Sequence, residues 1–258
     1  MRRFKLLLLF LFLPGMVSAG ALDWQLLKST HFFIYYKNAP QNTVSDLAQA
    51  AESCYNNVTD ELGFNRFNFW TWDNRAKIYL FDNQQDYRKD TKAAEWSAGQ
   101  AIVASKVIKT FVTARGFLDN ILPHELAHII FREMVGFNNP AVPLWLQEGV
   151  ATYQQKDIFQ AQVKTKLVQS MEEDDFIPLS DLSRFEGLGS ENKSRAEIFY
   201  LESYSLVKYL ISEFGRERFV FFCQSLRDNA NLTVALSRAY SFSGLADFEA
   251  GWKAYILR

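Results

Sequence analysis

Leu122-Pro123-His124-Glu125-Leu126-Ala127-His128 holds two of the three histidines in the chain, four residues apart, with a glutamate directly after the first. On a helix, residues four apart stack on one face, so His124 and His128 can address a single ion. Glu125 is rotated one position further round and falls off that arc. It can instead reach a water molecule as general base, the division of labour in an H-E-x-x-H helix that hydrolyses with a metal. A histidine pair at this spacing also occurs as ordinary helix packing, so the motif needs a third ligand to become a site. Glu148 supplies it, twenty residues after His128, in Pro143-Leu-Trp-Leu-Gln-Glu148-Gly-Val-Ala-Thr-Tyr153. Leu144, Trp145, Leu146, Val150 and Ala151 surround that carboxylate, and a carboxylate in apolar surroundings needs a charged partner. The residues therefore point to one Zn2+ held by His124, His128 and Glu148, with an open fourth position. His31 lies in an aromatic strand-like run and reads as structural.

The elements that must position these groups fall into two halves. Residues 24–29 and 31–37 are rich in aromatic and branched side chains and predict strands. Val44, Leu47, Ala48, Ala51, Tyr55, Val58 and Leu62 recur at helical spacing, and Gly63 ends that helix. Residues 76–81 predict a third strand and 100–113 one or two more. Beyond Gly116 the ranges 118–135, 144–156, 157–172, 196–214, 216–227, 231–240 and 244–256 all favour helix. Asn120 or Asp119 is expected to cap the metal-site helix, whose first turn tolerates Pro123. The fold class is α+β: a small mixed sheet with a helix, then an all-helical half. The turn between 128 and 148 lets a second helix run antiparallel to the first and return Glu148 to the metal. Residues 184–195, with two glycines and little apolar content, are the expected mobile loop. The acidic run Glu172 to Asp175 reads as a solvated helix end, since it lacks the spacing of a calcium loop.

The first residues have the layout of an export signal: Arg2, Arg3 and Lys5, an apolar run from Leu6 to Leu13, then Pro14-Gly15 and small residues through Ala19. That run is too short to cross a bilayer, which takes roughly 20 residues. Cleavage after Ala19, with Ala21 as the other option, leaves residues 20–258 as a single domain with sub-lobes of about 20–135 and 136–258, and no stable membrane insertion. The removed segment carries three basic and no acidic side chains, so 25 basic groups face 29 acidic ones afterwards. A net acidic chain argues against nucleic acid or an anionic membrane surface as partner. A content of 48% hydrophobic and 16% aromatic residues excludes a disordered chain. Cys54 and Cys223 both sit in apolar helical patterns and read as buried thiols, although export would permit a disulfide. The layout fits the bacterial periplasm, while Asn57, Asn192 and Asn231 each begin an Asn-x-Ser/Thr triplet compatible with eukaryotic secretion.

His124-Glu-Leu-Ala-His128 followed by Trp145-Leu-Gln-Glu-Gly-Val-Ala-Thr-Tyr153 resembles the gluzincin metallopeptidases, and within them the peptidase MA-like family. The second element is similar to the WLNEGFA stretch of zinc aminopeptidases. Residues 200–215, Tyr-Leu-Glu-Ser-Tyr-Ser-Leu-Val-Lys-Tyr-Leu-Ile-Ser-Glu-Phe-Gly, are similar to their YEKGFALLFYL helix, and 31–36 and 214–252 also fit. The resemblance implies a zincin-like fold with a cleft between the lobes, the three ligands named above and Glu125 as base. It places Tyr200 on the tyrosine that hydrogen-bonds the oxyanion, a role in which a phenol favours the transition state; Tyr204 is the rival one turn on. Two departures qualify it. Aminopeptidases carry an acidic residue before the metal helix to grip a free amine, whereas residues 97–105 contain none. The expectation is thus an endopeptidase whose strand edge at Ala101, Ile102, Val103 and Ala104 pairs with extended peptide. Thr152, where thermolysin-like enzymes have an acidic residue, is expected to support the ligands from behind. The alternative function is a catalytically silent or latent zincin-fold binding or assembly protein of the cell envelope; the residues do not specify an oligomeric state.

Overall fold

The computed structural model describes residues 23–155, 160–189 and 191–258; the proposed signal at 1–19 lies outside them. In chain order the elements are β1 (Gln25–Lys28), β2 (Phe32–Tyr36), α1 (Gln41–Glu61), β3 (Ala76–Phe81), α2 (Gln84–Thr91), β4 (Gly99–Ile102) and β5 (Val107–Phe111). The helices α3 (Leu122–Val135), α4 (Leu144–Tyr153), α5 (Gln160–Glu172), α6 (Leu179–Leu182), α7 (Lys193–Phe214), α8 (Arg216–Arg227), α9 (Leu232–Tyr240) and α10 (Leu245–Leu257) follow. The α+β division is therefore as the periodicity implies.

The sheet order is β1-β2-β3-β5-β4. The β2–β3 and β3–β5 pairs are parallel, and both outer pairs are antiparallel. Alternation fixes which face goes inward: Phe32, Ile34 and Tyr36 of β2 are buried, as are Ala76, Ile78 and Leu80 of β3. Against that face lies α1 with Val44, Leu47, Ala48, Ala51, Tyr55 and Val58, the stripe expected from its spacing. One hydrophobic cluster then continues from Phe32 through Leu126 and Ile130 of α3 to Phe248 and Trp252 of α10. Cys54 and Cys223 are both buried and no disulfide joins them.

Several local expectations are corrected. Helix α2 is absent from the sequence reading, because its eight residues are nearly all polar and carry no periodic stripe; Asn83 nevertheless caps it, accepting the Asp86 N–H at 2.9 Å. Neither Asn120 nor Asp119 caps α3. Phe117–Ile121 already form a wide π-helical turn, in which the Ile121 amide reaches back to Gly116 O, so the chain enters α3 helical and Ile121 makes no side-chain cap. The loop expected at 184–195 is shorter, since α7 starts at Lys193 behind an Asn192 cap that accepts the Arg195 N–H. The acidic run, by contrast, is the exposed helix end expected of it, with α5 closing at Glu172.

Candidate metal centre

Two crossings position the site. The first is α3 against α4, held beside the ligands by Arg132: its Nε donates to Gln147 Oε1 at 3.1 Å and its Nη1 to the carbonyls of Gly136 and Asn139. One guanidinium thus spans the connection that returns Glu148 toward the histidines. Sequence reasoning missed this strap, though Arg132 stands one turn after His128 and Gln147 directly precedes Glu148. The second crossing is α4 against α7. A Cβ on Gly149 would meet Ser203 O at 2.3 Å and Val207 Cγ2 at 2.8 Å, so only glycine allows the two helices to approach this closely.

The three expected ligands come together. His124 Nε2 and His128 Nε2 are 3.2 Å apart, and Glu148 Oε2 lies 3.8 and 3.7 Å from them. Zinc bonds of about 2.0–2.2 Å in a tetrahedron would set neighbouring donor atoms roughly 3.3–3.6 Å apart. The trio fits such an ion with shifts of a few tenths of an ångström, and two imidazoles with one carboxylate form a suitable donor set. Burial pushes His124 down to about 4 and, with the neighbouring His124 and Arg132 adding to it, His128 down to about 3. Both rings are therefore neutral at pH 7, the state in which imidazole binds a metal. Burial and the nearby Glu125 carboxylate raise Glu148 to about 7, so a cation is what would stabilise its charged form here.

Glu125 stands beside the trio without joining it. Its Oε2 accepts the Ala101 N–H at 3.1 Å, while burial raises the carboxyl to about 7 against that bond. Strand β4 is an edge strand, and Ala101 turns its amide away from β5 toward α3. The expected strand edge is nonetheless shorter than Ala101 to Ala104: Val103–Ser105 form a 3-10 turn that reverses the chain into β5, leaving Ala101 and Ile102 in the strand.

Tyr200 is half-buried, and burial, then the charges of Glu148 and Glu125, push its phenol up to about 12. The charges that act on it are thus those of the third ligand and of Glu125. Tyr204 is 1% exposed and is influenced by Tyr153 and Tyr255 instead, and it lines a cavity that none of the metal-site residues borders. Thr152 is buried with Oγ1 unpartnered and makes no hydrogen bond to the ligands; a hydroxyl on Cβ lacks the reach an acidic side chain would have. His124 Nδ1 is likewise buried without a hydrogen-bond partner. His31 is structural as expected: its N–H and Nδ1 both contact the Glu52 carboxylate, at 2.8 and 2.6 Å, tying β2 to α1.

A histidine pair and a returning glutamate around one point, with a second glutamate set aside, define a metallohydrolase-type centre. Residues 71–258 match the Peptidase MA superfamily, and the chain belongs to it. No curated protein matches the chain by sequence. Among solved structures it is similar to a two-domain M1 zinc metallopeptidase, a glutamate-to-alanine mutant bound to L-arginine, at 14% identity and a TM-score of 0.49. The alignment covers 92% of this chain and 52% of that one, so the chain spans about half the length of that structure.

Proposed function

We propose that the protein is an exported zinc peptidase of the bacterial periplasm that cleaves internal peptide bonds. The observation that carries this reading is the convergence of His124, His128 and Glu148 with Glu125 held outside the trio. A purely structural metal site needs ligands and no base, and would be closed by a fourth side chain; no further His, Cys, Asp or Glu joins the cluster among the described residues. Zinc, when bound, would polarise the scissile carbonyl and bring the pKa of a water to about 7.

The remaining work falls to the chain's own residues. Glu125, its carboxyl raised to about 7 by burial and aimed by the Ala101 amide, takes in its ionised form a proton from the attacking water and returns it to the leaving amine. Tyr200 keeps its proton and donates a hydrogen bond to the developing oxyanion, where a fixed donor helps more than in water. The edge of β4 aligns an extended substrate by backbone pairing. Residues 97–105 hold no carboxylate for a free α-amine, which favours internal bonds over N-terminal residues.

The test is zinc content together with cleavage of a mixed peptide library by the wild type and Glu125→Gln. The variant is expected to keep its zinc while cleavage falls by about 10²–10⁴-fold. A wild type that binds zinc fully and cleaves no peptide would establish the binding or assembly protein instead. Failure of the wild type to retain metal would overturn both.

A further inference from the structure

A cavity of about 350 Å3 opens among α5, α7 and α10, and none of His124, Glu125, His128 or Glu148 lines it. Its walls are apolar: Val163 and Leu167 of α5, Ile256 of α10, and the rings of Tyr204 and Tyr255. Two features distinguish it from a packing defect. Tyr204 is 1% exposed, yet its hydroxyl has no hydrogen-bond partner. A buried hydroxyl left unpaired costs roughly 1–3 kcal/mol, so an acceptor supplied from outside would remove a real penalty. The second feature is charge. Lys164 and Lys208 both line the cavity, and neither has a carboxylate partner among the described residues. Among the described residues, the one acidic side chain of the lining, Glu213, is occupied at 2.7 Å by Arg258, which lines the cavity too. Lys208 Nζ sits 5.6 Å from the centre of the Tyr204 ring, so an ammonium and a phenol border the same space.

Apolar walls with a few convergent polar groups are what small-molecule sites are built from, and this volume is within their usual range of about 300–1,000 Å3. We infer that this cavity binds a small amphiphile with one anionic head, a medium-chain carboxylate in its simplest form. The hydrocarbon tail would lie against Val163, Leu167 and Ile256, and the head would meet Lys164 and Lys208, with Tyr204 as a neutral donor. Burial raises the Tyr204 phenol, so it remains protonated and can donate. At roughly 30 Å3 per water-sized group, the volume corresponds to about twelve heavy atoms, a carboxylate and about nine further carbons. An amine head would be repelled by the two lysines, and a short anion would leave the apolar walls wet. This inference does not rest on the peptidase reading.

The experiment is isothermal titration of the full mature protein with sodium decanoate below its micelle concentration, alongside acetate and decylammonium. Saturable binding of one decanoate is expected, with acetate and decylammonium at least about tenfold weaker. The double variant Lys164→Glu/Lys208→Glu changes one exposed and one half-exposed side chain, so its melting temperature should be unaltered while decanoate binding weakens at least about tenfold. That loss also separates the cavity from a carboxylate resting on the metal ligands, which the variant leaves intact. Tyr204→Phe should weaken decanoate binding while preserving the ring packing. Decanoate that does not saturate, or that the double variant binds as well as the wild type does, overturns the inference. So does decylammonium binding of equal strength.

Discussion

Gly149→Ala sets two effects of known size against each other at the point that fixes Glu148. Helix propensity favours the substitution, since glycine inside a helix costs about 1 kcal/mol relative to alanine. Packing opposes it. The added methyl would lie 2.3 Å from Ser203 O and 2.8 Å from Ser203 C, where ordinary contact begins near 3.4 Å. The obstacle is backbone of α7, which cannot rotate away as a side-chain tip could, so α4 must move by about 1 Å. Overpacking of this kind costs typically about 1–3 kcal/mol, and the upper end applies when the neighbour is backbone. The net expectation is a loss of about 2 kcal/mol, or about 4–8 °C in melting temperature for a domain of this size. Because Glu148 is the adjacent residue, the same shift loosens the ligand trio, and zinc affinity should fall by about 10–100-fold, as when groups supporting a ligand are disturbed. Thermal melts of the metal-free and zinc-loaded forms, with competition against a chromophoric chelator, read both quantities. Adding Val207→Ala should not restore either, since it removes the contact at 2.8 Å and leaves the carbonyl at 2.3 Å. A Gly149→Ala protein that melts at or above the wild type with unchanged zinc affinity would refute the reasoning.

Two further outcomes follow from buried ionisable groups. Glu202 is fully buried, Oε1 accepts the Ile177 N–H at 2.8 Å and Oε2 has no partner; burial raises its carboxyl to about 9. The folded state thus holds a proton that the unfolded chain releases, and this group's contribution to stability is complete below about pH 4.5 and declines as pH rises toward 9. Glu202→Gln should flatten the decline and stabilise the protein near pH 8 by something on the order of a few kcal/mol, measured by urea unfolding from pH 5 to 9. A wild type with no stability slope in that range would argue against a protonated Glu202. Tyr200→Phe should lower kcat on a cleaved peptide by about 10²-fold at unchanged zinc content, whereas Tyr204→Phe should leave kcat within about twofold. Equal losses in both would remove the distinction between the two tyrosines.

Some of this was legible without coordinates because it is local. The i, i+4 spacing of His124 and His128 is a property of any helix, and so is the displacement of Glu125 from their arc. The stripe from Val44 to Val58 and the alternation in β2 and β3 announce their elements through the same short-range geometry. Where no such pattern exists, the reading failed: α2 is polar apart from Tyr87, and the π-helical turn at 117–121 differs from an α-helical start only in the backbone bonds of Ile121 to Gly116 and Leu122 to Phe117.

Glu148 marks the boundary between the two sources of information. Its apolar surroundings in the sequence required that the carboxylate find a partner, but only the α3–α4 crossing, braced by Arg132 on Gln147 and by the close approach of Gly149 to Ser203, brings Oε2 within 3.8 Å of both imidazoles. Tyr200 and Tyr204 lie one turn apart on the same face of α7, so no periodicity separates them; their neighbours do, the charges of Glu148 and Glu125 acting on the first while Tyr153, Tyr255 and a cavity surround the second. That Ala101 belongs to an edge strand, with its amide free to hold Glu125, depends on the order of strands in the sheet. Residue types and spacings set which chemistry the chain can perform, because those are short-range properties of helices and strands. Distances between segments far apart in sequence come from packing, and at this site they were decided by one glycine, one arginine and the order of five strands.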